Sequence, residues 1–268
     1  MRDDLVADDL WERVAPLLPP APERRRRHPG RLRVPDRAAL AGIMYVLRTG
    51  VAWRDVPAET VGCSGVTAWR RLHDWTEVGV WPRLHAALLA ELRRADSLDL
   101  DDCSVDGSPV RALKGGITSA PRPSPRARPG SKHHLIVDRH GTPLAVTLTG
   151  GNRHDITQLL PLLDVIPPIR GRRGRPRRKP RRLYAHRGYD FDKYRRLLWK
   201  RGIKPLIARR GVANGSGLGK VRWVVERAFA WLHQFKRLRI RYERRADLHQ
   251  GLLEPACSLI CLRRLRTS

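Results

Sequence analysis

Glu226 stands in the stretch Val221–Arg237, where Val221, Val224, Val225, Ala228, Trp231, Leu232 and Phe235 fall on one apolar stripe of a 3.6-residue helix. The glutamate lies off that stripe, in a file with Arg222, His233 and Arg237. A carboxylate fixed on a rigid helix among cations is either a plain surface ion pair or part of a site that handles phosphate. Such pairs are stronger with the acid first, and here Arg222 comes first, which weakens the plain reading. Far upstream, Asp106 lies in the alternating stretch Asp102–Val110, which reads as a strand. If the fold brings the two acids together they repel unless a cation neutralises them, so the pair would bind Mg²⁺ or Mn²⁺. Two such ions stabilise both the attacking and the leaving oxygen in phosphodiester chemistry.

The elements that must position these acids fall into two halves. Before Ser97 the pattern is helical: Asp8–Leu18 ending at Pro19 and Pro20, then Asp36 to Gly50, then a short helix near Trp53. A turn at Gly62 follows, with a helix from Ser64 as N-cap to about Glu77, and Trp81–Ala95. The stretch SGVTAWRRLHDW after a glycine turn has the outline of a helix-turn-helix, with Thr67, Arg70, Arg71 and Asp74 outward and Val66, Trp69, Leu72 and Trp75 packing. After Ser97 come the Asp106 strand, a polar loop Lys114–Lys132, and strands His133–Val137 and Leu144–Thr149. A helix N-capped by Asp155 follows, then strand Arg182–His186, helix Asp190–Trp199, strand Lys204–Ala208, the glycine loop Gly215–Gly219, the Glu226 helix and a short helix Ser258–Leu265. Three antiparallel strands followed by helix-separated parallel ones is the order of a ribonuclease H-like fold. The expected architecture is mixed α/β: a small all-helical DNA-binding domain, residues 1–96, and a ribonuclease H-like mixed-sheet catalytic domain, residues 97–268.

Charge names the partner. The chain has 54 Lys and Arg against 26 Asp and Glu, a net charge of +28, which points to a polyanion. Arginine supplies most of the excess, and its planar fork suits phosphates and guanine edges. No apolar run approaches bilayer length, and the acidic start MRDDLVADDLWERV is unlike a signal peptide, so duplex DNA is expected as partner, a membrane is not, and the place is the cytoplasm, on the nucleoid. Cys63, Cys103, Cys257 and Cys261 form no CxxC pair and read as reduced core thiols. The basic tract Ile169–Arg182 holds Arg173-Gly174-Arg175-Pro176 and Arg177; it reads either as a solvated linker or as the core of an AT-hook lying in the minor groove. His133 and His134 alternate across a strand, so at most one faces the acids.

The stretches SVDGSPVRALKGG around Asp106, GSKHHLIVDRHGTPLAVTLTGGNRHD, LYAHRGYDFDKYRRLL and SGLGKVRWVVERAFAWLHQFKRLRIRYERR resemble the transposases of bacterial insertion sequences in the IS-five-like family, as do WERVAPLLPP and LRTGVAWRDVPAE. The resemblance implies a DDE transposase that binds its element's terminal inverted repeats, cleaves the ends with metal-activated water and joins the freed 3′ hydroxyl to target DNA. It implies two Mg²⁺ or Mn²⁺ ions and a homo-oligomer working on paired ends. Asp106 matches the first acid and metal ligand, Glu226 the third, Arg222 the arginine one turn before it, and His233 a position that relatives fill with lysine or arginine. The second acid is replaced: where relatives read ADRGYD, this chain has Ala185-His186-Arg187-Gly188-Tyr189-Asp190. Histidine cannot bridge two ions as a carboxylate does, and Mg²⁺ prefers oxygen, so catalysis through Asp106, His186 and Glu226 is expected to be impaired. Asp190 and Asp192 could stand in only by folding back. DNA contacts are expected from Arg70, Arg71, Arg173, Arg175, Arg177, Arg222, His233 and Arg237. The alternatives are an inactive DNA-binding remnant that occupies inverted repeats, and an RNA-binding protein suggested by charge alone.

Overall fold

The computed structural model describes residues 5–23, 27, 32–116, 118, 120–121, 129–212 and 217–267. Parts of the basic connector after Pro20, of the loop 114–132 and of the glycine loop 215–219 lie outside the described residues.

β1 (Asp102–Ala112), β3 (Pro129–Val137) and β4 (Pro143–Gly150), each with a continuous buried run, form an antiparallel set with Asp106 opposite Leu135. β5 (Arg182–Ala185) and β6 (Lys204–Ile207) then add in parallel to β1, giving the order β4-β3-β1-β5-β6. Short β2 (Ala120–Pro121) and β7 (Ile240–Arg241) complete the sheet beside β3 and β1. This is the ribonuclease H-like order. Its consequence for the site lies in a mismatch of length: β5 pairs β1 only over Asp102–Ser104, so the rest of β1 runs past its parallel neighbour. The overhang lies at the carboxyl end of the parallel strands, the usual place for a site in such sheets.

The amino-terminal helices are α1 (Asp8–Val14), α2 (Asp36–Thr49), α3 (Ala58–Val61), α4 (Gly65–Glu77) and α5 (Val80–Arg94). Ser64 caps α4 as its sequence suggests, its side chain accepting the Thr67 amide hydrogen at 3.3 Å. Gly62 ends α3 in the left-handed region, and Gly65 opens α4 where a Cβ would lie 1.6 Å from the Trp53 carbonyl oxygen, so the turn admits no side chain there. Val66, expected to pack, is 55% exposed; it stands in the first turn of α4, where Ala68, Leu72 and Trp75 supply the buried face.

After the sheet's hairpin come α6 (Leu159–Asp164), α7 (Asp192–Lys200), α8 (Gly219–Gln234) and α9 (Ala246–Leu265). Asp155 is not the N-cap expected of it; it begins a 3₁₀ turn, Asp155–Gln158, ahead of α6 and makes no capping bond. The last helix is far longer than the expected Ser258–Leu265, and runs unbroken through Pro255. An interior proline costs about 3 kcal/mol, and the buried residues from Leu248 to Leu262 outweigh it. α9 packs on α5 and α4 as well as on α8 and β4, so helices and sheet share one apolar core. All four cysteines are buried and free. No described helix is long and apolar enough to cross a membrane.

Candidate active site

Asp106, His186, Arg222 and Glu226 lie within one chain of contacts at this end of the sheet. Asp106 projects from β1 just beyond the end of β5, and His186 is the first residue after β5. Nε2 of His186 lies 3.1 Å from Oδ1 of Asp106. The ring's other nitrogen, Nδ1, accepts the Gly188 amide hydrogen at 2.9 Å, which assigns the imidazole proton to Nε2, facing the aspartate. Gly188 makes this possible, since a Cβ there would stand 2.4 Å from Cε1 of the ring.

Glu226 lies on α8, and Arg222, one turn before it, ties the acids together. Its Nη1 donates to Oδ2 of Asp106 at 2.8 Å and its Nη2 to Oε1 of Glu226 at 2.6 Å. Early aspartate and late glutamate thus meet through one guanidinium, with the Glu226 side chain 58% exposed. The Gly107 amide adds a bond to Oδ1 of Asp106 at 2.8 Å. Both oxygens of Asp106 are therefore occupied by donors of this chain.

Neither spare acid reaches the site. Asp190 binds Arg195 at 2.7 Å and the Arg210 amide at 2.8 Å, and Asp192 pairs with Arg209 at 2.8 Å. Burial works against the Asp190 charge, but these donors prevail and hold its carboxyl below the ordinary range. A different acid does lie close by. Oδ1 of Asp155 sits 2.8 Å from where a Cβ on Gly107 would be, and Lys132 Nζ donates to it at 3.0 Å. The Tyr189 hydroxyl and Nδ1 of His134 are buried without a hydrogen-bond partner among the described residues, and that nitrogen lies 3.9 Å from Oδ1 of Asp155. Burial, then the charges of Asp106 and Asp155, push the Tyr189 phenol well above its usual value. The sequence signal was the Asp106-Gly107 dipeptide, since only glycine leaves room for the second carboxylate.

The histidines of β3 divide as their alternation implies: His134 turns Nδ1 toward Asp155, at 3.9 Å, and His133 lies against the last helix. His133 stacks on His249, its Nε2 2.9 Å from the other ring's Nε2, and His134 Nε2 lies 2.7 Å from the Thr149 hydroxyl.

The expected DNA contacts divide. Arg70, Arg173 and Arg175 are exposed. Arg71 is half-buried against Asp36 at 2.9 Å, and Arg177 pairs with Asp101 at 2.9 Å. Two residues are corrected. Arg237 was placed on the file of Glu226, but α8 ends at Gln234 and the following 3₁₀ turn carries Arg237 inward, where it is 5% exposed and bound to Glu243 at 2.7 Å. No DNA phosphate can reach it there. His233 is half-buried, and burial and then Arg239 lower its pKa below the ordinary 6.5, so at neutral pH it lacks the charge of the lysine or arginine it replaces.

Residues 98–261 match the family model described as Transposase DDE domain, and residues 6–85 match that of a putative transposase of the IS4/5 family. The chain is 62% identical over 152 residues to the putative transposase for insertion sequence element IS402 of Burkholderia cepacia, covering 57% of this chain and 72% of that protein. It is 48% identical over 148 residues to the 16.2 kDa protein of the same element, covering 49% of this chain and all of that one. Among solved structures it is similar to the Mos1 strand transfer complex at 10% identity and a TM-score of 0.33, over 91% of this chain and 81% of that one. With the matched domain covering residues 98–261, more than half of the chain and both acids among them, the chain belongs to the DDE transposases of insertion sequences.

Proposed function

We propose that this transposase binds the terminal inverted repeats of its element, as a homo-oligomer on paired ends in the nucleoid, and cleaves and joins DNA strands at Asp106 and Glu226 with much reduced efficiency because His186 stands at the middle acid. The observation that carries the reading is the placement of His186 Nε2, 3.1 Å from Oδ1 of Asp106.

The family's divalent ions would have to be held by Asp106 and Glu226. This donor set does not fit two such ions. No three His, Cys, Asp or Glu side chains converge among the described residues. His186 turns a proton, not a lone pair, toward Asp106, and offering the lone pair would cost it the Gly188 bond. Mg²⁺ also prefers oxygen to nitrogen. What the chain's own groups do is bind and orient: His186 and Arg222 hold the Asp106 carboxylate, and Arg222 also holds Glu226. Arg70 on α4 is free to meet the duplex.

A second reading, a remnant that occupies inverted repeats without cutting them, draws support from the same occupied oxygens of Asp106. Strand cleavage on inverted-repeat DNA with Mg²⁺ or Mn²⁺ separates the two. In the first reading His186→Asp raises the rate about a hundredfold, the scale of restoring one charged group at a reaction centre. Equal turnover by both proteins refutes the impairment. No turnover by either, with end binding intact, selects the remnant.

A further inference from the structure

The basic tract between α6 and β5 is a closed loop. The main chains of Ile169 and Arg177 exchange hydrogen bonds of 2.8 and 3.1 Å, and Ile169 is fully buried, which roots the loop in the core. Gly171 presses so near α5 that a Cβ would stand 2.2 Å from the Ala90 carbonyl oxygen. Arg172 binds the Arg93 carbonyl at 3.3 Å and pairs with Asp96. Arg177 and Arg181 take Asp101. The nearby acids are thereby used up at the root. Arg173 and Arg175 remain at the exposed tip with no acidic partner among the described residues. Between them Gly174 has a φ of +93°, and no atom lies within 4 Å of its would-be Cβ. Beside the tip runs a groove of about 600 Å³ lined by Arg175, Arg177, Arg178, Lys179 and Arg181.

We infer that this loop reads the minor groove of A·T-rich duplex DNA: Arg173 and Arg175 enter the groove on either side of Gly174, while Arg178 and Lys179 lie along the flanking phosphates. The inference rests on the chain being a DNA-binding transposase. Three features support it over contact with phosphates alone. The minor groove is about 6 Å wide, which admits a loop tip and excludes a helix. A glycine at the apex lets backbone approach the groove floor, as no other residue does. A·T tracts narrow the groove and deepen its negative potential, which draws in unpaired guanidinium groups. The anchored root lowers the ordering cost that a disordered arginine tail would incur.

The test is fluorescence anisotropy of the full-length protein on three duplexes of equal length and fixed salt: A·T-rich, G·C-rich, and the G·C sequence with inosine in place of guanine. Inosine removes the minor-groove amino group and leaves the major-groove face of guanine unchanged. A·T and inosine duplexes are expected to bind alike, about tenfold tighter than G·C. Arg173→Ala with Arg175→Ala lowers affinity for those two toward the G·C value, whereas Arg178→Ala weakens all three alike, as loss of a phosphate contact does. The inference is overturned if the inosine duplex tracks G·C, or if the double variant weakens all three equally. Binding to none of the duplexes overturns the proposed function along with it.

Discussion

Replacing Glu243 by glutamine keeps shape and removes one charge from a buried cluster that joins the helical region to the sheet. Glu243 Oε1 accepts from Nε and Nη2 of Arg237 at 2.9 and 2.7 Å, Oε2 lies 3.3 Å from His249 Nδ1, and both members of the ion pair are 6% exposed or less. Arg237 in turn donates to the Val51 carbonyl at 2.9 Å, beyond the end of α2. Burial opposes the charge of Glu243, yet the bonds to His249 and Arg237 prevail and carry its pKa from 4.5 to about 2. At about 1.4 kcal/mol per tenfold, that fall is worth roughly 3 kcal/mol of folding stability. Because the folded value lies below the unfolded one, the contribution is complete above pH 4.5 and disappears as pH falls toward about 2. Losing one partner of a buried pair costs about 3–5 kcal/mol, a consistent range, since Arg237 is left uncompensated. Urea unfolding of wild type and Glu243→Gln at pH 7, repeated at lower pH, measures this directly. The gap is expected to be several kcal/mol at pH 7 and to close as pH drops below 4.5. A gap under about 0.5 kcal/mol, or one that ignores pH, refutes the reasoning.

Arg237→Met is expected to destabilise by about 3–5 kcal/mol through the same cluster, with no change in the salt dependence of DNA binding by the protein that remains folded; a shallower salt slope would place Arg237 on the phosphates after all. Gly65→Ala forces a methyl group into the Trp53 carbonyl and is expected to cost more than about 3 kcal/mol, read as a lowered urea midpoint, while an unchanged midpoint would contradict the close packing of that turn.

Where local chemistry decided structure, it was visible in the residues. Ser64, Gly62 and Gly50 mark helix ends by capping and left-handed backbone, and the apolar run that begins at Leu144 lies buried as a strand between covered faces does. From strand order and the late helix, the meeting of Asp106 with Glu226 could be foreseen. Long-range packing decided the rest. Pro255 argues locally against a helix, and only the buried surface on both sides of it explains why α9 continues. Nothing in LHQFKRLRI announces that the helix stops at Gln234, so the sequence alone puts Arg237 on the file of Glu226 and gives no sign of its partner Glu243. Asp155 sits against Gly107 because the hairpin returns it there, a proximity with no trace in spacing.

The shared core set by α9 has a bearing on how the molecule comes into being. Its segment Leu248–Leu262 leaves the ribosome after everything it covers, so the amino-terminal helices and the back of β4 wait for it with apolar flanks bare. The packing between the two regions is accordingly expected to close only once α9 is made, and a stop upstream of Ala246 is expected to leave those apolar flanks exposed.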